Sequence, residues 1–255
     1  MTAAEPARSR TSVPPADGHQ TIVFLHGTRL TGAQWAVQVA ALSGEYHCLA
    51  PDLPGHGTAA GETFTVGGAA ERIADLIASE AHGGRAILVG LSLGGYVAMA
   101  VAARWPDRVA GLVISGATAE PLPPRAYAYH GLAAIFSGAP AGALDAANRW
   151  FFGWRYRPEI AEPILAGGFF FDGGAVAVRS LIGERFMPRL AAYPGPSLIL
   201  NGEFDLFFRP TERAFAAVAA NPRRVLIRGA THLANLDRPE AFTTAIRRFA
   251  TSLGR

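Results

Sequence analysis

Gly90-Leu91-Ser92-Leu93-Gly94, preceded by Ala86-Ile87-Leu88-Val89 and followed by Gly95 through Arg104, is the stretch whose reading decides the fold. The four residues before it are apolar and partly β-branched, as in a strand buried on both faces. The ten after it are rich in helix formers and stop at Trp105-Pro106. A strand turning this sharply into a helix leaves no space for side chains two positions either side of the apex. Gly90 and Gly94 supply that space, and the Ser92 hydroxyl is thrust out at the strand's C-terminal end. The first helical turn offers unpaired backbone N–H groups to a developing anion. Ser92 is therefore a candidate nucleophile. The pentapeptide alone is weak in a chain with 29 glycines; its strand and helix neighbours lend it weight.

Working outward, Thr21 to Leu25 reads as a strand ending at His26-Gly27-Thr28. A helix over 33–43 follows, with Trp35, Val39 and Leu42 on one face. Tyr46 to Ala50 is a strand closed by the loop Pro51 to Gly57, and a helix spans 66–80. Beyond the Ser92 helix, Val109 to Ser115, Ser197 to Asn201 and Arg224 to Ile227 are strands. Helices are expected at 211–220 and from Pro239 to Ser252. Strands and helices alternate at the spacing of βαβ units, which predicts an α/β domain with a mainly parallel sheet and helices on both faces. Its core comprises residues 21–117 and 194–255, and residues 1–20 read as a disordered tail. Residues 118–193 lack strand-like runs and hold more than half of the chain's aromatic residues. They read as a helical cap over the strand ends. Most of these aromatics join cap to core, and a subset lines an apolar pocket. Trp150 and Trp154 are pocket candidates, as are Arg29, Tyr96, Phe207 and Leu233.

Composition narrows the partners. A length of 255 residues at 50% hydrophobic content supports one large core. The formal net charge is +3 and the pI is about 9.4, but the basic residues are all Arg and are spread along the chain, which argues against nucleic acid. Cys48 is the only cysteine, so no intrachain disulfide can form, and its apolar setting predicts a buried, inert thiol. Residues 1–20 show no apolar signal region and no run is long enough to span a membrane, so the expected location is the cytoplasm. Neither a dinucleotide fingerprint nor a clustered Cys/His set occurs, so no cofactor and no metal are expected. The expected partner is a small-molecule substrate; the oligomeric state stays open.

A serine hydroxyl needs a base, and the base needs an orienting acid. Of seven histidines, His232 in Gly229-Ala230-Thr231-His232-Leu233 follows the last strand, where ligands sit in open parallel sheets. His26 and His56 lie in Gly-containing loops and read as turn-stabilising; His47 lies within a strand and reads as structural. Asp205, four residues past the strand ending at Asn201, is the leading acid, with Glu203 and Glu120 as competitors. The backbone N–H groups of Leu93 and Thr28 are the candidate oxyanion donors.

These stretches resemble the α/β-hydrolase superfamily over residues 21–252. The resemblance rests on Phe24-Leu25-His26-Gly27 with Trp35, Asp52-Leu53-Pro54-Gly55-His56-Gly57, Gly90 to Gly95, Gly202-Glu203-Phe204-Asp205 and Thr231-His232. It implies a Ser92–His232–Asp205 serine hydrolase that cleaves an ester, thioester or lactone of an apolar acyl substrate through an acyl-enzyme. The same triad serves C–C bond hydrolases and lyases, which is the alternative reading. Two departures stand out. Members usually carry a β-hairpin before the His-Gly strand, and residues 1–20 show no such pattern, so a six-stranded sheet starting at Thr21 is expected. That economy resembles the hydroxynitrile lyase group and the menaquinone-pathway synthase. The latter carries Arg where this chain has Tyr96, a role that Arg29 could take instead.

Overall fold

The computed structural model describes residues 10–11 and 19–254. Seven strands form one sheet: β1 (Arg10–Thr11), β2 (Thr21–Leu25), β3 (His47–Ala50), β4 (Ala86–Leu91), β5 (Val109–Ser115), β6 (Pro196–Gly202) and β7 (Asn221–Ile227). Their spatial order is β1-β3-β2-β4-β5-β6-β7. The six strands from β2 onward are parallel, and β1 alone runs antiparallel, against β3. Parallel strands buried on both faces send alternate residues to opposite sides. Val23, Leu25, Leu88, Leu112 and Ile114 accordingly enter one core, while Ile22, Phe24, Ile87, Val89 and Val113 enter the other.

The helices are α1 (Ala36–Leu42), α2 (Val66–Glu80), α3 (Leu93–Arg104), α4 (Ala126–Gly138), α5 (Ala141–Arg155), α6 (Pro158–Gly167), α7 (Phe171–Leu181), α8 (Met187–Ala192), α9 (Glu212–Val218), α10 (Ala234–Asp237) and α11 (Pro239–Leu253). On one face α11 packs beside α1, its Phe242, Ile246 and Phe249 joining Trp35 and Leu42 in the core. The other face carries α2, α3, α8 and α9. Every residue of α3 from Leu93 to Ala102 is buried, which explains why it lacks a polar stripe.

One expectation needs correction. The stretch 1–20, read as a disordered tail, lies largely outside the described residues. Within it, however, Arg10 and Thr11 pair with Ala50 and Leu49 at the sheet edge. An open strand edge takes an extended partner through backbone groups, and side-chain periodicity carries no trace of that. The segment 118–193, read as the cap, is not uniform. Its last helix, α8, packs on α3 and α9, and Phe186, Leu190 and Tyr193 belong to the main core. Four helices, α4–α7, remain above the strand ends. Among the described residues no single helix is long and apolar enough to cross a membrane.

The connection order places the site. From β2 the chain goes to β3 on one side and then returns to β4 on the other, so β2 and β4 flank the switch point where parallel sheets open a crevice. His26-Gly27-Thr28 leaves β2 there, and Ser92 leaves β4.

Candidate active site

Ser92 joins β4 to α3 with φ 54° and ψ −115°, a conformation unfavourable for a residue with a side chain. The surroundings enforce it. Ser92 N–H donates to Ser115 O at 2.8 Å, and its carbonyl accepts from Gly95 and Tyr96 N–H. A Cβ on Gly90 would lie 2.3 Å from Gly94 O, and one on Gly94 would lie 2.1 Å from Leu25 O. Backbone occupies the space on both sides, so glycine is required at both positions.

His232 and Asp205 come together from loops after β7 and β6. His232 Nδ1 lies 2.9 Å from Asp205 Oδ2, and Asp205 is only 4% exposed. A carboxylate accepts, so Nδ1 carries the proton and Nε2 keeps its lone pair. Phe208 N–H donates to the other carboxylate oxygen at 3.3 Å, and the Phe208 ring stacks on the imidazole at 4.9 Å. Beneath the ring, a Cβ on Gly116 would lie 2.6 Å from His232 Cε1, so only glycine admits the imidazole. Asn201 Oδ1 accepts from Gly116 N–H at 2.9 Å and holds that floor in place.

The competing acids have other tasks. Glu120 accepts from Phe186 and Met187 N–H, both at 2.8 Å, and caps the start of α8. Glu203 accepts from Gly229 N–H at 2.9 Å and braces the loop leading to His232. Asp205 is the carboxylate that meets the imidazole.

The loop after β2 is held by a network of neutral rings. Leu53 N–H donates to His26 Nε2 at 2.9 Å, so His26 Nδ1 carries the proton and donates to Gly27 O. Arg29 N–H donates to His56 Nε2 at 3.1 Å, and His56 Nδ1–H donates to Pro54 O. Burial, and then the neighbouring His56, push His26 down to about 3; burial lowers His56 too. Gly27 N–H donates to Gln34 Oε1, and Asp52 accepts from Gly32 and Thr58. Burial opposes the Asp52 charge, but those backbone donors hold its carboxyl below the usual range. The Thr28 and Leu93 amides have no protein acceptor among the described residues, and both residues line the same cavity as Ser92 and His232.

That cavity encloses about 320 Å³. Arg29, Tyr96 and Phe207 line it, whereas three other pocket candidates do not. Trp150 and Trp154 are 67% and 69% exposed and stack on each other at 5.7 Å. They lie a turn apart on α5, while Phe152 occupies its buried face and Tyr156, just past its end, is buried too. Leu233 packs instead against two of the core clusters. The lining residues not anticipated are Ala128, Tyr129 and Leu132 of α4, Val178 and Leu181 of α7, and Phe208. The i, i+3 spacing within α4 and α7 is present in the sequence, but helical spacing does not say what lies opposite. Tyr129 and Tyr96 hydroxyls meet at 2.6 Å, and Tyr96 donates to Ala119 O at 2.5 Å; burial raises both phenols, which stay neutral. Cys48 is fully buried and its thiol is pushed up to about 12.

With this geometry in view, the chain matches the Alpha/beta hydrolase family model over residues 22–245 and belongs to that family. It is 24% identical to 3-oxoadipate enol-lactonase 1 of Acinetobacter baylyi over 238 residues, covering 91% of this chain and 89% of that one. A pimeloyl-[acyl-carrier protein] methyl ester esterase of Sodalis glossinidius is 41% identical over 97 residues, 38% of this chain and 36% of that protein. Matches of this second kind span about a third of the curated relatives' length. The enol-lactonase structure from Burkholderia xenovorans LB400 superposes with a TM-score of 0.80 at 25% identity, covering 96% of each chain.

Proposed function

We propose that the protein is a serine hydrolase that cleaves an ester, thioester or lactone of an apolar acyl substrate. The observation that carries this reading is the Asp205–His232 pair facing the same cavity as a Ser92 held at a strained strand–helix turn. Ser92 Oγ attacks the acyl carbonyl while His232 Nε2 takes its proton. The carbonyl oxygen, now an anion, accepts from the Leu93 and Thr28 amides. Asp205 keeps the imidazole in the tautomer with Nε2 free and stabilises its charged form. Collapse of the tetrahedral species breaks the bond to the leaving group, which receives the proton from His232. Water then attacks the acyl-enzyme, giving its proton to His232, which returns one to Ser92 as the acid leaves. The apolar walls from Leu93, Leu132, Val178, Leu181 and Phe207 suit an apolar acyl chain. That two relatives are named as an enol-lactonase and a methyl ester esterase supports acyl-oxygen cleavage.

The test is a panel of p-nitrophenyl esters of increasing acyl length and simple lactones, run on wild type and Ser92→Ala. The expected result is a burst of p-nitrophenol in wild type and a loss of at least about 10³-fold in the variant. Variant turnover within tenfold of wild type on the best substrate overturns the reading. Turnover of C–C substrates alone, without an acyl-enzyme burst, would instead place the chemistry with the lyases.

A further inference from the structure

Arg29 is, among the described residues, the one cationic side chain with a fixed charge on the cavity that Ser92 faces, and its setting is built rather than incidental. Its backbone takes a left-handed φ of 60°. Two contacts hold it there: its N–H donates to His56 Nε2, and its carbonyl accepts from Phe170 N–H at 2.8 Å. The side chain is steered as well. Arg29 Nε donates to Asn148 Oδ1 at 2.9 Å, and Asn148 Nδ2 donates to Leu144 O, which settles the orientation of that amide. The guanidinium carbon lies 5.9 Å from the centroid of the buried Phe136 ring. The strained backbone, a helix amide from α5 and a ring from α4 thus aim one group.

What the site omits is equally informative. No carboxylate lies within ion-pair distance of Arg29 among the described residues, although most other arginines with partners have one. Its two terminal nitrogens have no protein acceptor there, neither is fully buried, and the residue lines the cavity. A half-buried guanidinium with an open two-pronged end matches the planar, bidentate geometry of a carboxylate. Burial among apolar walls pushes this guanidinium down to about 10, so it is charged at neutral pH but poorly solvated when the cavity is empty. An entering carboxylate relieves that cost. A neutral apolar acyl chain does not.

We propose that Arg29 is a carboxylate clamp: the substrate hydrolysed at Ser92 carries, besides its scissile acyl bond, a free carboxylate that the two terminal nitrogens of Arg29 bind. This deepens the hydrolase reading and rests on it. The substrate class is then an apolar acid derivative with a second acid group, such as the monoester or lactone of a dicarboxylic or oxo acid, rather than a plain fatty ester. The apolar walls accept the methylene segment, and Arg29 sets which end enters.

The kinetic test compares anionic esters with neutral isosteres. One pair is p-nitrophenyl hydrogen glutarate and its methyl diester, with the carboxylate on the acyl side. The other is 4-carboxyphenyl butyrate and its methyl ester, with the carboxylate on the leaving group. Wild type is expected to favour at least one anionic ester in kcat/KM by about 10- to 100-fold, the range of a charge-assisted pair. Arg29→Gln, which keeps an unbranched polar side chain but removes the charge, is expected to erase that preference, and Arg29→Lys to restore part of it. Absence of any anionic preference in wild type, or its survival in Arg29→Gln, overturns the clamp. Calorimetric titration of glutarate into Ser92→Ala, with and without Arg29→Gln, separates the two proposals. If no ester is hydrolysed in a Ser92-dependent way but glutarate binds only when Arg29 is present, the hydrolase reading falls and only the carboxylate binding at Arg29 stands. If esters are hydrolysed while glutarate binding ignores Arg29, the reverse holds.

Discussion

The loops at the strand ends and the helices laid over them differ in what holds them. Below, buried side chains tie the loops together through backbone groups. Both nitrogens of His26 and of His56 are engaged, and the flanks of Ser92 are set by backbone contact distances that exclude any side chain. Above, ring contacts recur among α4–α7 and the segments beside them: Phe136 on Phe171 at 5.6 Å, Phe152 on Phe169 at 5.5 Å, and Tyr129 on Phe207 of the loop after β6 at 5.8 Å. Backbone hydrogen bonds and glycine contacts tolerate little change, whereas ring packing accommodates similar volumes at modest cost. The proposed chemistry therefore rests on the floor, which also carries Arg29, while the roof adds Tyr129, Leu132, Val178 and Leu181 to the cavity walls.

The largest effect expected from breaking this contrast lies in the floor. Asp205→Asn should leave the fold intact and lower kcat by about 10³- to 10⁴-fold; the corresponding change in a serine protease costs about 10⁴-fold. Glu120→Gln and Glu203→Gln, measured under the same conditions, should each stay within about threefold, since their carboxylates serve backbone amides away from His232. A crippled Glu120→Gln beside a normal Asp205→Asn would transfer the acid to the loop after β5.

Acid stability probes the same floor more gently. His26 titrates near 3 in the folded chain against about 6.5 when unfolded, so between these values the unfolded chain binds more protons. His26 therefore makes stability fall as pH drops through that window, by up to about 1.4 kcal/mol per pH unit, and His56 adds to the fall with the same sign. His26→Gln can still accept from Leu53 and donate to Gly27. Urea unfolding at pH 7, 6, 5 and 4 should give a shallower decline for the variant than for wild type. Parallel curves would show that another group governs the acid limb.

The smallest effect belongs to the roof's outer surface. Trp150→Ala and Trp154→Ala should each change kcat/KM by less than about twofold and stability by about 1 kcal/mol or less, as expected for an exposed stacked pair. A tenfold change on any ester would mean that this face meets the substrate after all.

Floor and roof are unequally legible in the amino-acid sequence. The strands and helices of the core can be read there because apolar period and glycine placement act within a few residues, and so can the elbow at Ser92. The roof cannot. Aromatic content announces a cap, but on α5 it points to Trp150 and Trp154, while the buried face belongs to Phe152. The bias toward rings also hides Val178 and Leu181, ordinary aliphatic residues that face the cavity only because α7 packs as it does.

From residue order alone follow a parallel α/β domain of the hydrolase family, a serine at a strand–helix apex, and the placing of an acid and a histidine after later strands. These rest on local sterics and on the rule that parallel strands present their loops at one end. Only the folded arrangement decides which of three carboxylates meets His232, since Glu120, Glu203 and Asp205 all follow strands and differ only in what folds against them. It also decides that Arg29, whose side chain is steered by Asn148 from 119 residues away, keeps two terminal nitrogens without a protein acceptor among the described residues while lining the same cavity as Ser92. Pairing and burial are sums over neighbours distant in the chain, and no local pattern contains them.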